Sequence, residues 1–191
     1  LVDIRLAPGA LARKARPRNL EGRSSCGLCG VQRLADAVRP LPVVGAGARI
    51  EHAAIPRALA ALEAEQALGR LTRATHAAAF FNRVGDLVAV REDVGRHNAV
   101  DKVIGWAVLN DRVPLRGCVL QVSGRASFEL VQKAVMAGVP FLAAVSAPSS
   151  LAVELAEAAG LTLVGFLRGR SMNVYSHPHR IRAGAPATAR R

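Results

Sequence analysis

Cysteine is scarce in this chain, with three in 191 residues. That argues against a disulfide-stapled scaffold, which is normally small, secreted and cysteine-dense. Aromatic residues make up only 4%. With so few, and with no helix-turn-helix, RNA-recognition or zinc-finger signature, nucleic acid is not the expected partner. No run of about eighteen uncharged apolar residues occurs, so no membrane span is expected. The opening Leu1-Val2-Asp3-Ile4-Arg5 carries charge where an export signal would need an apolar stretch. Cytoplasmic residence, where thiols stay reduced, is the expectation. The chain lacks an initiator methionine and reads as missing upstream sequence.

What is present is a 51% apolar composition, enough for one sizeable core, and a net charge of +12. The charge is uneven. Residues 1–39 hold eight basic against three acidic side chains, and residues 166–191 hold six arginines and no acid. A near-neutral middle with two basic ends points to an anionic ligand held at those ends.

Two of the three cysteines form Ser25-Cys26-Gly27-Leu28-Cys29-Gly30. Glycines on either side free the backbone and leave the sulfurs uncovered. Arg23 and nearby amides favour the thiolate, the reactive form. Sulfur chemistry at Cys26 and Cys29 is therefore the first expectation. A disulfide staple, half a zinc site and a thioredoxin-like dithiol fit less well. Cys118 sits apart in an apolar run, no second Cys-x-x-Cys or close His pair completes a metal site, and no strand leads into the motif.

Residues 1–40 read as the remnant of an N-terminal region plus the cysteine loop, 41–178 as an α/β domain, and 179–191 as a disordered basic tail. A short helix is expected over Val31–Val38. Pro56 and Gly69 bracket a second helix with Leu59, Leu62 and Leu68 on its apolar face. His76–Phe81 and Leu87–Arg91 read as a hairpin around Asn82–Asp86. Helices and apolar runs then alternate. A helix carrying Val100, Val103, Ile104 and Ala107 precedes strand Val119–Val122. Helix Ser127–Met136, strand Pro140–Val145, helix Ser150–Ala159 and strand Leu161–Phe166 follow. This alternation predicts a layered α/β fold around a largely parallel sheet.

Ligands of open α/β sheets gather at the carboxyl ends of strands. Two such junctions, Ser123-Gly124-Arg125-Ala126-Ser127 and Ser146-Ala147-Pro148-Ser149-Ser150, offer hydroxyls and helix-start amides suited to phosphate. Plain N-capping by serine is the competing reading. A third, Phe166-Leu167-Arg168-Gly169-Arg170-Ser171, sets two arginines on a glycine-hinged loop that could clamp a diphosphate. The polar stretch Glu92–Lys102, with His97 at its centre, is a candidate ligand-facing cluster. His76 is a secondary candidate.

Together, Ser25-Cys-Gly-Leu-Cys-Gly30, Arg91-Glu-Asp-Val-Gly-Arg-His-Asn-Ala-Val-Asp-Lys-Val-Ile-Gly105, Val122-Ser-Gly-Arg-Ala-Ser-Phe-Glu-Leu-Val-Gln-Lys133, Val145-Ser-Ala-Pro-Ser-Ser-Leu-Ala152 and Gly165-Phe-Leu-Arg168 closely resemble the FdhD family, sulfurtransferases needed for formate dehydrogenase activity. The resemblance implies a three-layer, cytidine-deaminase-like mixed sheet without that superfamily's zinc site, a homodimer, and an N-terminal β-rich portion mostly missing here. It further implies that a cysteine desulfurase loads a persulfide onto Cys26, assisted by Cys29. The sulfur then passes to a molybdenum (or tungsten) bis(molybdopterin guanine dinucleotide) cofactor destined for formate dehydrogenase. The family's cofactor-binding stretch falls on Phe166, Leu167, Arg168, Gly169, Arg170 and Ser171. A cofactor-binding chaperone without sulfur transfer is the alternative.

The pattern departs from the family in two places. Thr72-Arg73-Ala74-Thr75-His76 stands where a Thr-Gly-Gly-x-His turn is usual. Gly169-Arg170-Ser171 stands where Gly-Gly-Arg is usual after Arg168.

Overall fold

The computed structural model describes residues 37–45 and 47–182. The chain divides into two compact units, Leu1–Val38 and Arg39–Arg191. Cys26, Cys29 and most of the helix expected over Val31–Val38 lie outside the described residues, as does the chain after Arg182.

In the second unit a short strand β1 (Ile50–Glu51) leads into helices α1 (Ala54–Glu65) and α2 (Ala67–Thr72). Strands β2 (His76–Phe81) and β3 (Leu87–Asp93) and helix α3 (Arg96–Leu109) come next. The regular part follows as β4 (Val119–Val122), α4 (Phe128–Met136), β5 (Phe141–Ala144), α5 (Ser150–Ala158) and β6 (Thr162–Arg168). Strand β7 (Ser171–Val174), a 3-10 turn (Pro178–Arg180) and β8 (Ile181–Arg182) complete it.

Six strands form one sheet in the order β3-β2-β4-β5-β6-β7. The central β4, β5 and β6 are parallel, while β2 and β3 on one side and β7 on the other run antiparallel. The sheet is therefore mixed, with parallel strands at its centre. Those strands read as continuous apolar runs because both faces are covered. Alternate residues serve opposite layers. Ala78, Phe80, Leu120, Leu142 and Leu163 pack with α3, α4 and α5. Ala77, Ala79, Phe81, Val119, Phe141 and Val164 pack with α1. That alternation makes three layers.

Three local expectations change. The helix expected from Pro56 to Gly69 is broken at Gln66, and Leu68 is exposed. The cause is Glu92, whose carboxylate takes the amides of Leu68 at 2.9 Å and Gly69 at 2.7 Å and so starts a separate helix. Thr75 adds its hydroxyl at 3.0 Å. Burial raises the Glu92 pKa, but these hydrogen bonds and the Arg70 charge outweigh it, leaving the carboxyl below its ordinary value.

The second change is at residues 168–171, expected as a loop. Arg168 pairs with Ser171 across a two-residue hairpin turn, with Gly169 first at φ +54. The third concerns the tail, expected from residue 179. Arg180 is buried and donates to the carbonyl of Gly160, and Ile181 pairs with Ile50, so residues 179–182 belong to the fold.

Candidate functional site at the carboxyl edge of the sheet

Parallel strands β4, β5 and β6 end on one edge, and the loops beyond them are stitched to each other by their backbones. Ser123 donates to the carbonyl of Ala77 at 3.0 Å, Ser146 to Gly124 at 3.4 Å, and Phe166 to Ser146 at 3.3 Å. Because β2 is antiparallel, its first residue His76 lies on the same edge, as do the end of β3 and the start of α3. The edge thus gathers His76, Arg96, Ser123, Gly124, Arg125, Ser146 and Phe166 into one rim.

The two serine junctions, alike in sequence, differ in structure. Ser149 caps α5, its Oγ accepting the amide of Ala152 at 3.2 Å. There the plain capping reading accounts for the residue. Ser127 stands at the N-cap of α4 but makes no side-chain cap, and its Oγ is shielded from solvent without a partner among the described residues. Ser123 is committed to structure, since its Oγ accepts the amide of Ala77 at 2.8 Å. Arg125 extends into solvent.

The C-terminal stretch divides by side. Arg168, Gly169, Arg170 and Ser171 are exposed at the hairpin tip. Phe166 is 40% exposed and takes a positive φ of +50 at a bulge, which is unusual for a bulky side chain. Leu167 is fully buried in the layer against α1.

His97 lies below the surface of the rim. It is only 2% exposed, in the first turn of α3, with neither ring nitrogen hydrogen-bonded among the described residues. Burial, then the charge of Arg96, push its pKa below the ordinary value against the opposing pull of Glu129. Arg96, from the same turn and the same candidate stretch Glu92–Lys102, places its Cβ and Cδ beside Gly124. Glu129 was not singled out; the available signal was its position in the first turn of a helix that follows a strand.

Two other features lie away from the rim. A cavity of about 590 Å³ opens at the amino ends of β4 and β5, lined by Val43, Arg116, Met136 and Gly138 among others, and contains no predicted site residue. Cys118, just ahead of β4, is half-buried. Burial raises its pKa, with Arg112 pulling the other way, so it is a poor nucleophile. Among the described residues no helix is long and apolar enough to cross a membrane.

A three-layer α/β domain with a basic, helix-start-lined strand edge is the class these features define. The profile of the FdhD/NarQ family matches residues 2–182, and the chain belongs to that family. It is similar to the sulfur carrier protein FdhD of Nocardia farcinica, 55% identical over 175 residues covering 91% of this chain and 63% of that protein. The sulfur carrier protein FdhD of Streptomyces avermitilis is 54% identical over 196 residues, covering 98% of this chain and 68% of that one. A crystal structure described as a formate dehydrogenase accessory protein from Desulfotalea psychrophila superposes with a TM-score of 0.69 at 32% identity. That match covers 75% of this chain and 61% of the other. The chain spans about two thirds of the length of the curated relatives it matches.

Proposed function

We propose that this chain carries sulfur as a persulfide on Cys26, with Cys29 assisting, and delivers it to a molybdenum bis(molybdopterin guanine dinucleotide) cofactor seated along the rim. In the loading step the Cys26 thiolate attacks the terminal sulfur of a cysteine desulfurase persulfide. The donor S–S bond breaks, the desulfurase leaves as a thiolate, and Cys26 gains the sulfur. When the cofactor's metal takes that sulfur as sulfide, the metal supplies the two electrons and Cys26 returns to a thiolate. Formate dehydrogenase is the client, the working form is a homodimer, and the compartment is the cytoplasm.

The observation that carries this reading is the stitching of Gly124, Ser146 and Phe166 into one continuous edge. A dinucleotide is long, and only a continuous edge lets one ligand touch helix starts and arginines together. The exposed Arg168 and Arg170 suit bidentate contact with phosphate oxygens. Phe166, held outward by its strained backbone, offers a face on which a base can stack. The relatives' names, sulfur carrier protein and formate dehydrogenase accessory protein, support a sulfur-carrying role in that system.

The test uses mass spectrometry after incubation with a cysteine desulfurase and cysteine. One added sulfur atom on Cys26 or Cys29 supports transfer. No addition, with GDP still binding, replaces transfer with a chaperone role. In cells, Cys26→Ala is expected to abolish activation of formate dehydrogenase while GDP binding persists. Full activation by that variant removes Cys26 from the mechanism.

A further inference from the structure

We propose that the cavity at the amino edge of the sheet is a binding site for a small organic anion with an apolar body, of the medium-chain carboxylate type, held at the mouth by Arg83 and Arg116. It lies at the opposite end of the strands from the rim and stands apart from the proposed sulfur transfer.

The cavity is a product of topology. Arg116 precedes β4 and Gly138 precedes β5, so both lie where those parallel strands begin. Strand β2 runs antiparallel to β4, with Phe81 opposite Val119, so the β2–β3 turn carries Arg83 to the same edge. The segment ahead of β1 closes the remaining side, the Val44 amide donating to the carbonyl of Ala159 at 2.8 Å.

Backbone contacts fix the walls. Leu115 donates to the carbonyl of Ala137 at 2.9 Å. Gly138, at φ +76, brings the α4–β5 turn against Pro114: a Cβ there would lie 2.6 Å from the Pro114 Cβ. Segments remote in sequence thus enclose about 590 Å³. Small-molecule sites run from roughly 300 to 1,000 Å³ and are usually formed before the ligand arrives.

The lining sets the chemistry. Apart from Arg83 and Arg116, every lining residue is apolar or a glycine. Val44 and Val135 are buried and form the floor, while Val43 and Met136 are 78% and 62% exposed at the mouth. Apolar side chains left open beside a cavity suit a hydrocarbon body that covers them.

Both arginines are exposed, and neither has an ion-pair or hydrogen-bond partner among the described residues. No carboxylate lines the cavity. Asp86, in the same turn as Arg83, is taken by the side-chain amide of Asn82 at 3.0 Å. Two free guanidinium forks beside an apolar floor match one carboxylate head on a hydrocarbon chain. A neutral hydrocarbon would leave both charges unused. A nucleotide would set its polar ring edges against valines. An acidic peptide is the other anion to weigh, but the enclosed room and the two charges are what one small ligand needs.

Calorimetric titration at about pH 8, where a carboxylate is ionised, uses decanoate as the probe, with acetate and decylamine beside it. The wild-type protein is expected to bind decanoate but neither acetate nor decylamine. Arg83→Gln and Arg116→Gln should each weaken binding by up to about fivefold, as for exposed ion pairs. The double variant Arg83→Glu/Arg116→Glu should not bind. Val43→Trp keeps both charges and fills the mouth, so it too should not bind. Met136→Trp repeats that test should thermal melts show Val43→Trp unfolded. GDP titration is expected to be the same in every variant as in the wild type.

Wild-type protein that leaves decanoate free overturns the site, and so does decylamine bound as well as decanoate. Decanoate bound undiminished by the double variant or by both tryptophan variants places it elsewhere and overturns the site too. A decapeptide of glutamate and leucine that binds where decanoate does not replaces the small-ligand site with a protein-docking surface. Loss of GDP binding in the folded cavity variants merges this site with the rim and overturns its independence. Decanoate binding in a wild-type protein that ignores GDP keeps the cavity site and sinks the nucleotide part of the proposed function.

Discussion

Lys102 Nζ sits 2.6 Å from Asp93 Oδ2, tying the end of β3 to the second turn of α3. The other carboxylate oxygen of Asp93 accepts the amide of Gly95 at 2.9 Å and the side-chain amide of Asn98 at 3.0 Å. One carboxylate therefore fixes the angle at which α3 leaves the sheet, and with it the position of Arg96. These partners, Lys102 first, pull its pKa from 3.8 down to about 2.

A depressed carboxyl stabilises the fold above its unfolded value, and that contribution is lost as pH falls through the folded value. Asp93 thus contributes fully above pH 3.8 and loses its contribution progressively toward about 2. Asp93→Asn is expected to lower the melting temperature at neutral pH and to flatten the acid limb of a stability–pH curve in that window. An unchanged acid limb would remove Asp93 from the account.

His97 makes a second pH prediction, of opposite chemical origin. The groups that bear on its ring are Arg96 and Asp101 on α3 and Glu129 and Lys133 on α4, with burial and Arg96 holding the folded value below 6.5. The unfolded chain then takes up the proton first, so stability is full above pH 6.5 and erodes as pH falls below it. Urea unfolding at about pH 8 and about pH 5.5 should show this loss in the wild type and a smaller one in His97→Gln. Equal losses in both would assign the slope to another group.

Arg73, the residue that follows α2, occupies the left-handed region, φ +53. A non-glycine residue there costs roughly 1–2 kcal/mol, while glycine loses about 0.5–1 kcal/mol more entropy on folding. Arg73→Gly is expected to stabilise by up to about 1 kcal/mol, a rise of about 2–4 °C in scanning calorimetry. Arg73→Ala, which keeps the strain, should give no such gain.

Arg180 carries its guanidinium into the fold beside Gly45 and Gly160, and burial alone lowers its pKa. It supplies a donor and a positive charge at the C-terminal end of α5, where carbonyls lack partners. Gly45, at φ +79, leaves the space: a Cβ there would collide with the guanidinium and lie 2.9 Å from Pro140 Cβ. Arg180→Ala should destabilise by about 1–3 kcal/mol through the unpaired Gly160 carbonyl. Gly45→Ala should cost at least about 1–2 kcal/mol from its backbone conformation. Denaturant midpoints indistinguishable from wild type would contradict both.

The stretch from β4 to β6 was legible because each strand, turn and helix there carries its own local signal. Continuous apolar runs, serine helix starts and Gly138 and Gly160 at helix ends all lie within a few residues of what they mark. The break between α1 and α2 was not legible, since Glu92 imposes it from 23 and 24 residues away. Strand β7 was missed because its residues are largely exposed and only pairing with β6 defines it. The burial of Leu167 and His97 was not legible either, because a motif names residues but does not say which way the pleat or helix turns them.

By itself the sequence determined the α/β alternation, the basic ends and the motif set that marks the family, because each depends on residue order and local chemistry. The tertiary structure alone decided which of those residues share the rim. It capped α5 with Ser149 while leaving Ser127 open, buried His97 and Leu167, and brought Arg96 over Gly124. Such choices depend on strand order and on helix packing between distant segments. No short window of sequence carries that information.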